Sequence, residues 1–131
     1  MEFFRHVRAD THPETLRAAL TTPALPDWCG SVFAVEEGAT ADAGVVGCIW
    51  GRFTFHREAV NGGVRFTLPE CPNALAVTIT THLPPDPGAV VIHGTINRQE
   101  ADPDFVESVE TFVDDWAAGL QAGLSFAHQD V

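Results

Sequence analysis

An α+β fold is predicted for this chain of 131 residues, with an antiparallel sheet of about six to seven strands, a short N-terminal helical pair and one long C-terminal helix. Three observations predict it. Several segments alternate apolar and polar residues with the period of two that a half-buried strand requires, and turn sequences such as "NGG" and "PPDPG" separate them. Near the start, the helical pattern is brief and punctuated by prolines. At the far end, Phe105, Val109, Phe112, Trp116 and Leu120 step by three or four residues, which places them on one helical stripe.

Taken in order, "EFFRHVRA" (Glu2 to Ala9) reads as a first strand. In "THPETLRAAL", Thr11 is placed to cap a helix, Pro13 suits its first turn, and Glu14 stands three residues after Thr11 as in a capping box. "TTPALPDW" ends that helix with two prolines and delivers Trp28, and "SVFAVEEG" is a short strand. The stretch from Gly44 to Val60 is one long strand, or two joined at a bulge near Gly47 or Gly51. "ALAVTITTHL" and "AVVIHGTINR" form a later hairpin. The last helix opens at "EADPD", where Asp102 or Asp104 caps it, Pro103 lies in the first turn and acids sit at the positive end of its dipole. Burying the five large side chains of its stripe stabilises the fold by about 10 kcal/mol in transfer terms, and only a sheet is left to receive them. Gly119 and Gly123 weaken this helix intrinsically, which suits either close approach to the sheet or fraying.

Hairpin geometry fixes the faces. Asn61-Gly62 suits a two-residue turn pairing Val60 with Gly63. That register puts Phe53, Phe55, Arg57 and Ala59 on one face with Val64, Phe66 and Leu68, whereas a slip of one residue would mix apolar and polar sets. In the second hairpin, an even loop length groups Leu75, Val77 and Ile79 with Val90, Ile92 and Ile96.

Composition narrows the partners. The formal charge is −11 and lysine is absent, so no basic stripe exists for nucleic acid or an anionic membrane. No apolar run is long enough to span a bilayer, and the opening residues lack a secretory pattern, so a cytoplasmic location is expected. Cys29, Cys48 and Cys71 are an odd number at wide spacing and suggest reduced thiols, not a disulfide framework.

Strand, helical pair, antiparallel strands and closing helix occur in an order that resembles the START-like, or SRPBCC, superfamily, the helix-grip fold of Bet v 1-type plant allergens and polyketide cyclases. The resemblance rests on "EFFRHVRADTHPETLRAALTTPALPDW", on "GRFTFHREAVNGGVRFTLPE" and on "FVESVETFVDDWAAGLQAGL", where Leu120 and Leu124 follow Trp116. It covers essentially the whole chain as one domain, residues 1–131, and the ending is most similar to the branch related to activators of the Hsp90 ATPase. It implies a curved sheet wrapped around its last helix and an apolar cavity between them. Members bind lipids, sterols or polyketides, some catalyse cyclisation, and others pack on protein partners; the fold alone does not choose among these.

The inward strand residues Phe53, Phe55, Phe66, Leu68, Val77, Ile79 and Ile92 are the candidate lining of that cavity. The helix adds Phe112 and Trp116, and the opening segment adds Trp28. Such stripes are ordinarily plain core, and in this fold both readings can hold, with some inner residues packing and the central ones leaving space. Arg57 either pairs with an acidic group on a ligand or snorkels to the rim beside its turn. His82 and His93 are expected as diagonal neighbours on the outer face, too few for zinc, so no metal or cofactor is expected. Asp114-Asp115 reads as solvated charge, and no nucleophile signature or phosphate loop is found. Trp50 points outward if its strand is continuous, which would suit a homodimer or protein partner, and inward if a bulge falls at Gly51. The expected function is binding of a small apolar ligand, acidic if Arg57 engages it. The alternatives are a polyketide cyclase-like enzyme and an interaction domain of Hsp90-activator type with no ligand.

Overall fold

A computed structural model describes residues 1–129, with side chains through residue 124. Among these residues, seven strands form one antiparallel sheet. They are β1 (Glu2–Arg8), β2 (Val32–Val35), β3 (Ala43–Cys48), β4 (Gly51–Val60), β5 (Gly63–Thr67), β6 (Ala76–Thr80) and β7 (Ala89–Thr95). Their spatial order is β1-β7-β6-β5-β4-β3-β2, so β2 through β7 form a meander of neighbours and only β1 crosses to join β7. Between β1 and β2 lie α1 (Pro13–Ala19), a 3-10 turn (Thr22–Ala24) and α2 (Leu25–Trp28); α3 (Pro103–Gln129) closes the chain. The sheet is curved around α3, and the architecture is the helix-grip fold. No helix among the described residues is long and apolar enough to cross a membrane.

Both hairpin registers follow the turn chemistry. Val60 pairs with Gly63 and Arg57 with Phe66, and Gly62 takes a positive φ of 88° as the tight turn demands. In the second hairpin Ile79 pairs with Ile92 and Thr78 with His93. Phe55, Phe66, Val77, Ile79 and Ile92 therefore share the inner face, where they meet Val109, Phe112, Trp116 and Leu120 of α3. Phe66 stacks near Trp116 at 5.9 Å between ring centroids, and Phe112 meets Trp116 edge-on at 6.5 Å.

Several local expectations are corrected. The segment from Gly44 to Val60 is two strands, but a turn at Ile49-Trp50, not a bulge, separates them. Cys48 pairs with Gly51, and Gly51 has a φ of 111°. Helix α1 is capped at His12 without a side-chain bond, because Thr11 lies one residue too early. Thr11 is buried, with its carbonyl 2.6 Å from His82 Nε2 and its hydroxyl unpartnered. His82 lies beyond the end of β6 with a φ of 61°, and its ring meets His12 at 4.7 Å. It is thus four positions out of register with His93, which lies opposite Thr78. At the start of α3, Asp102 is the acid that caps: its Oδ1 accepts from the Asp104 N–H at 2.8 Å.

The glycines of α3 face α2 and not the sheet. A Cβ on Gly119 would sit 2.7 Å from the Trp28 carbonyl carbon and closer still to its oxygen, and one on Gly123 would sit 2.5 Å from Trp28 Cζ3. Bare backbone lets the helix lie directly against Trp28. Polar clamps add to this. Arg5 on β1 donates to Asp114 Oδ1 at 2.6 Å and also to Glu110, and the buried Ser31 hydroxyl donates to Asp115 Oδ2 at 2.6 Å. Asp114 and Asp115, expected as solvated charge, instead fasten α3 to β1 and to the chain entering β2.

Candidate functional site

The central inner-face residues pack against one another. Phe55, Phe66, Val77, Ile79, Ile92, Phe112 and Trp116 each have 0% accessible surface. A side chain lining a void large enough for water would show surface to it, so these residues meet one another across the sheet–helix interface at interior packing density. Trp28 is half-buried against the same core, over Gly119 and Gly123.

Arg57 lies on the inner face as the register requires, but its guanidinium is committed to protein. It donates to the Leu20 carbonyl at 2.7 Å, to the Arg17 carbonyl, and to Asp42 Oδ1 at 2.8 Å. Leu20 is the C-cap of α1, so the cation satisfies carbonyls at the negative end of that helix. Only 9% of the side chain is exposed. The sheet interior thus uses Arg57 to fix α1 across β4.

An apolar cleft of ≈ 200 Å³ opens at the end of the sheet nearest the start of α3. Its lining is Trp50 from the β3–β4 turn, Phe53 of β4, Leu68 after β5, Cys71, Pro72 and Asn73 from the β5–β6 loop, and Phe105 of α3. Each wall has a local cause. The two-residue turn at Ile49-Trp50 throws the indole towards α3, where it meets Phe112 at 5.0 Å and Phe105 at 6.2 Å between centroids. The indole N–H donates to Ser108 Oγ at 2.7 Å, and the Ser108 hydroxyl donates in turn to the Phe105 carbonyl at 2.5 Å. Trp50 is therefore pinned inward, against the reading of an exposed tryptophan. The loop wall is tied down by hydrogen bonds from the Cys71 N–H to the Leu68 carbonyl (3.0 Å), from the Ala74 N–H to the Cys71 carbonyl (3.0 Å) and from the Asn97 N–H to the Asn73 carbonyl (2.9 Å).

Of the residues singled out from sequence, Phe53 and Leu68 reach this cleft; Arg57, Trp28 and the fully buried set do not line it. Trp50, Cys71, Pro72, Asn73 and Phe105 were not among the candidate lining residues. Phe105 had a signal, as the first member of the helical stripe, and Trp50 had one in the alternative that turned it inward. A second cleft of ≈ 170 Å³, lined in part by Arg65, Thr67 and Ala74, shares Leu68 and Cys71 with the first.

The thiols differ sharply. Burial pushes Cys29 up to about 12 from an ordinary 9.0, and burial also raises Cys48, whose Sγ lies 3.3 Å from the Gly51 carbonyl oxygen. Cys71 is the half-exposed one, at the cleft.

No family model matches this chain, and no curated protein matches it. Solved structures do. The chain is similar to the protein XoxI from Bacillus cereus, at 12% identity over 95% of this chain and 94% of that one, with a TM-score of 0.63. It is similar to an uncharacterised protein from Bacillus thuringiensis, at 12% identity over 95% and 97% of the two chains, with a TM-score of 0.62. It is also similar to an AHSA1-like protein from Aeromonas hydrophila, at 10% identity over 93% of each chain, with a TM-score of 0.52. At these identities the likeness is one of fold: a helix-grip architecture shared over nearly the full length of each chain.

Proposed function

We propose that this chain is a START-like binding module that takes the apolar part of a small ligand in the cleft at the end of its sheet. The observation that carries this reading is the contrast between the two places a ligand could sit. The central sheet–helix interface is filled, and the end cleft presents rings and Pro72 to solvent, over the buried Leu68, in a hollow of ≈ 200 Å³. Drug-sized ligands occupy pockets of roughly 300–1,000 Å³, so this one suits a single ring or a short alkyl segment with the rest of the ligand outside. Trp50, held by Ser108, and the hydrogen-bonded loop supply walls that need little ordering on binding, which favours affinity. The test is an NMR titration of the protein with hexan-1-ol. Shifts confined to Trp50, Phe53, Asn73 and Phe105 support the reading, and shifts elsewhere or none at all overturn it.

A protein-interaction role without a ligand is the second reading. The filled interior and the fold likeness to an AHSA1-like protein favour it. Native mass spectrometry of freshly purified protein separates the two, because a co-purified small molecule supports the first. A cyclase reading draws no support from Arg57, whose guanidinium is spent on backbone carbonyls and Asp42.

A further inference from the structure

The end cleft has aromatic walls and an acidic surround. Trp50, Phe53 and Phe105 all line it, with the Trp50 and Phe105 rings inclined by 49° to one another. An aromatic face carries partial negative charge and an edge partial positive charge, so a hollow walled by rings favours a cation over a neutral group of the same shape wherever a face is turned to it. The Glu70 carboxylate is fixed beside the Phe53 wall, because its Oε1 accepts from the Thr54 N–H at 2.7 Å. On the helix side, Asp104 directly precedes Phe105 and Glu107 follows two residues later, both exposed. The positive end of the α3 dipole would favour an anion, but Asp102 answers it by accepting from the Asp104 N–H. Four positive groups lie near. Arg52 donates twice to Glu36 and Arg65 pairs with Glu58 at 3.1 Å, which leaves Arg98, next to the Asn97 that bonds to Asn73, and the Met1 ammonium, which donates to the Arg98 carbonyl at 2.8 Å. Both lie on the Asn73 side of the cleft, away from Glu70, and set against Glu70, Asp104, Glu107 and a chain carrying −11 overall they do not reverse the field on the Glu70 side.

We propose that the cleft recognises an organic cation: an alkyl- or arylammonium whose apolar body fills the hollow and whose positive head lies against the rings on the Glu70 side. This rests on the reading that the cleft is the ligand site, and it gives the opposite charge preference to the one Arg57 suggested. The test uses three six-carbon probes on the unmodified protein at pH 7, namely hexylammonium, hexan-1-ol and hexanoate, titrated by NMR at low and high salt. The expected result is hexylammonium binding about fivefold tighter than hexan-1-ol and more than tenfold tighter than hexanoate, with the gap narrowing as salt rises. Phe105→Leu, which keeps the apolar bulk and removes the ring, should weaken hexylammonium about threefold more than it weakens hexan-1-ol. Glu70→Gln, which retains an oxygen for the Thr54 N–H, should likewise weaken hexylammonium selectively. Equal binding of hexylammonium and hexan-1-ol, or tightest binding of hexanoate, would overturn the charge preference and leave the cleft as a ligand site. Binding of none of the three would overturn both.

Discussion

Replacing Gly119 by alanine is the sharpest test of how α3 is held. In a solvent-facing helix that change stabilises by about 1 kcal/mol, because glycine is the weaker helix former. Here the new Cβ would sit 2.7 Å from the Trp28 carbonyl carbon and overlap its oxygen, both backbone atoms of α2. Backbone cannot swing aside as a side chain can, so α2 and α3 must separate. Overpacking of this kind costs about 1–3 kcal/mol or more, and separation also strains the neighbouring Ser31–Asp115 hydrogen bond. The net expectation is a loss of about 1–2 kcal/mol, or a melting temperature lowered by roughly 4 °C per kcal/mol for a chain of this size. Urea unfolding followed by circular dichroism measures it. Gly123→Ala supplies the comparison, since its Cβ would meet the Trp28 ring, which is able to rotate; its loss should be smaller and should vanish in a Trp28→Ala background. A Gly119→Ala protein more stable than the parent would refute the reasoning, because it would mean that α2 does not lie where α3 needs bare backbone.

Two further expectations concern buried polar groups. Arg57→Ala should lower stability by about 3 kcal/mol, since charge-assisted hydrogen bonds contribute about 1.5–3 kcal/mol each and two backbone carbonyls lose their partner; the link to exposed Asp42 adds little. Urea midpoints for Arg57→Ala and Arg57→Lys check this, with lysine recovering only part because it lacks the planar fork. The thiols should react in the order Cys71 first and Cys29 last, read by mass after brief iodoacetamide treatment. Because the Cys29 thiol is pushed up to about 12 in the fold from 9.0, the unfolded chain ionises first as pH rises. That contribution to stability is fully present below pH 9 and is lost progressively towards 12. Cys29→Ala should flatten the decline, and an unchanged alkaline profile would contradict it.

Where the sequence was legible, a short-range rule had a single solution. Asn61-Gly62 admits few turns, so it set Val60 opposite Gly63, and from there alternation carried Phe55 and Phe66 to the interior. The stripe on α3 followed from a spacing that no strand shares. What escaped depended on contacts between distant segments. Trp50 was left undecided between outward and inward because Cys48 to Gly51 reads equally as continuous strand until β3 and β4 are seen to pair through it. Nothing near Gly119 or Gly123 names Trp28 as the group that needs the space. Thr11 met the local pattern of a cap but was drawn into the interface with His82 instead. The candidate site was the least legible part. The inner-face residues look alike whether they surround a void or fill it, and the difference lies in how closely α3 descends on the sheet.

How closely it descends also varies along its length. From Ser108 onward the helix is fastened repeatedly: Ser108 to Trp50, Glu110 and Asp114 to Arg5, Asp115 to Ser31, and Gly119 with Gly123 beneath Trp28. The turn before Ser108 carries the Asp102 cap and the half-buried Phe105, and it borders the cleft. A ligand larger than ≈ 200 Å³ is therefore accommodated most cheaply by lifting residues 103–107 and rotating Phe105, with the fastened remainder undisturbed. Hydrogen exchange resolved along α3 distinguishes this from opening of the interior. With a bulky apolar ligand such as decan-1-ol in excess, amides of the first turn should exchange faster while those from Glu110 to Gly119 keep their protection. If protection falls instead around Phe112 and Trp116, the ligand has entered between helix and sheet, and the packed interior, not the end cleft, is where this fold makes room.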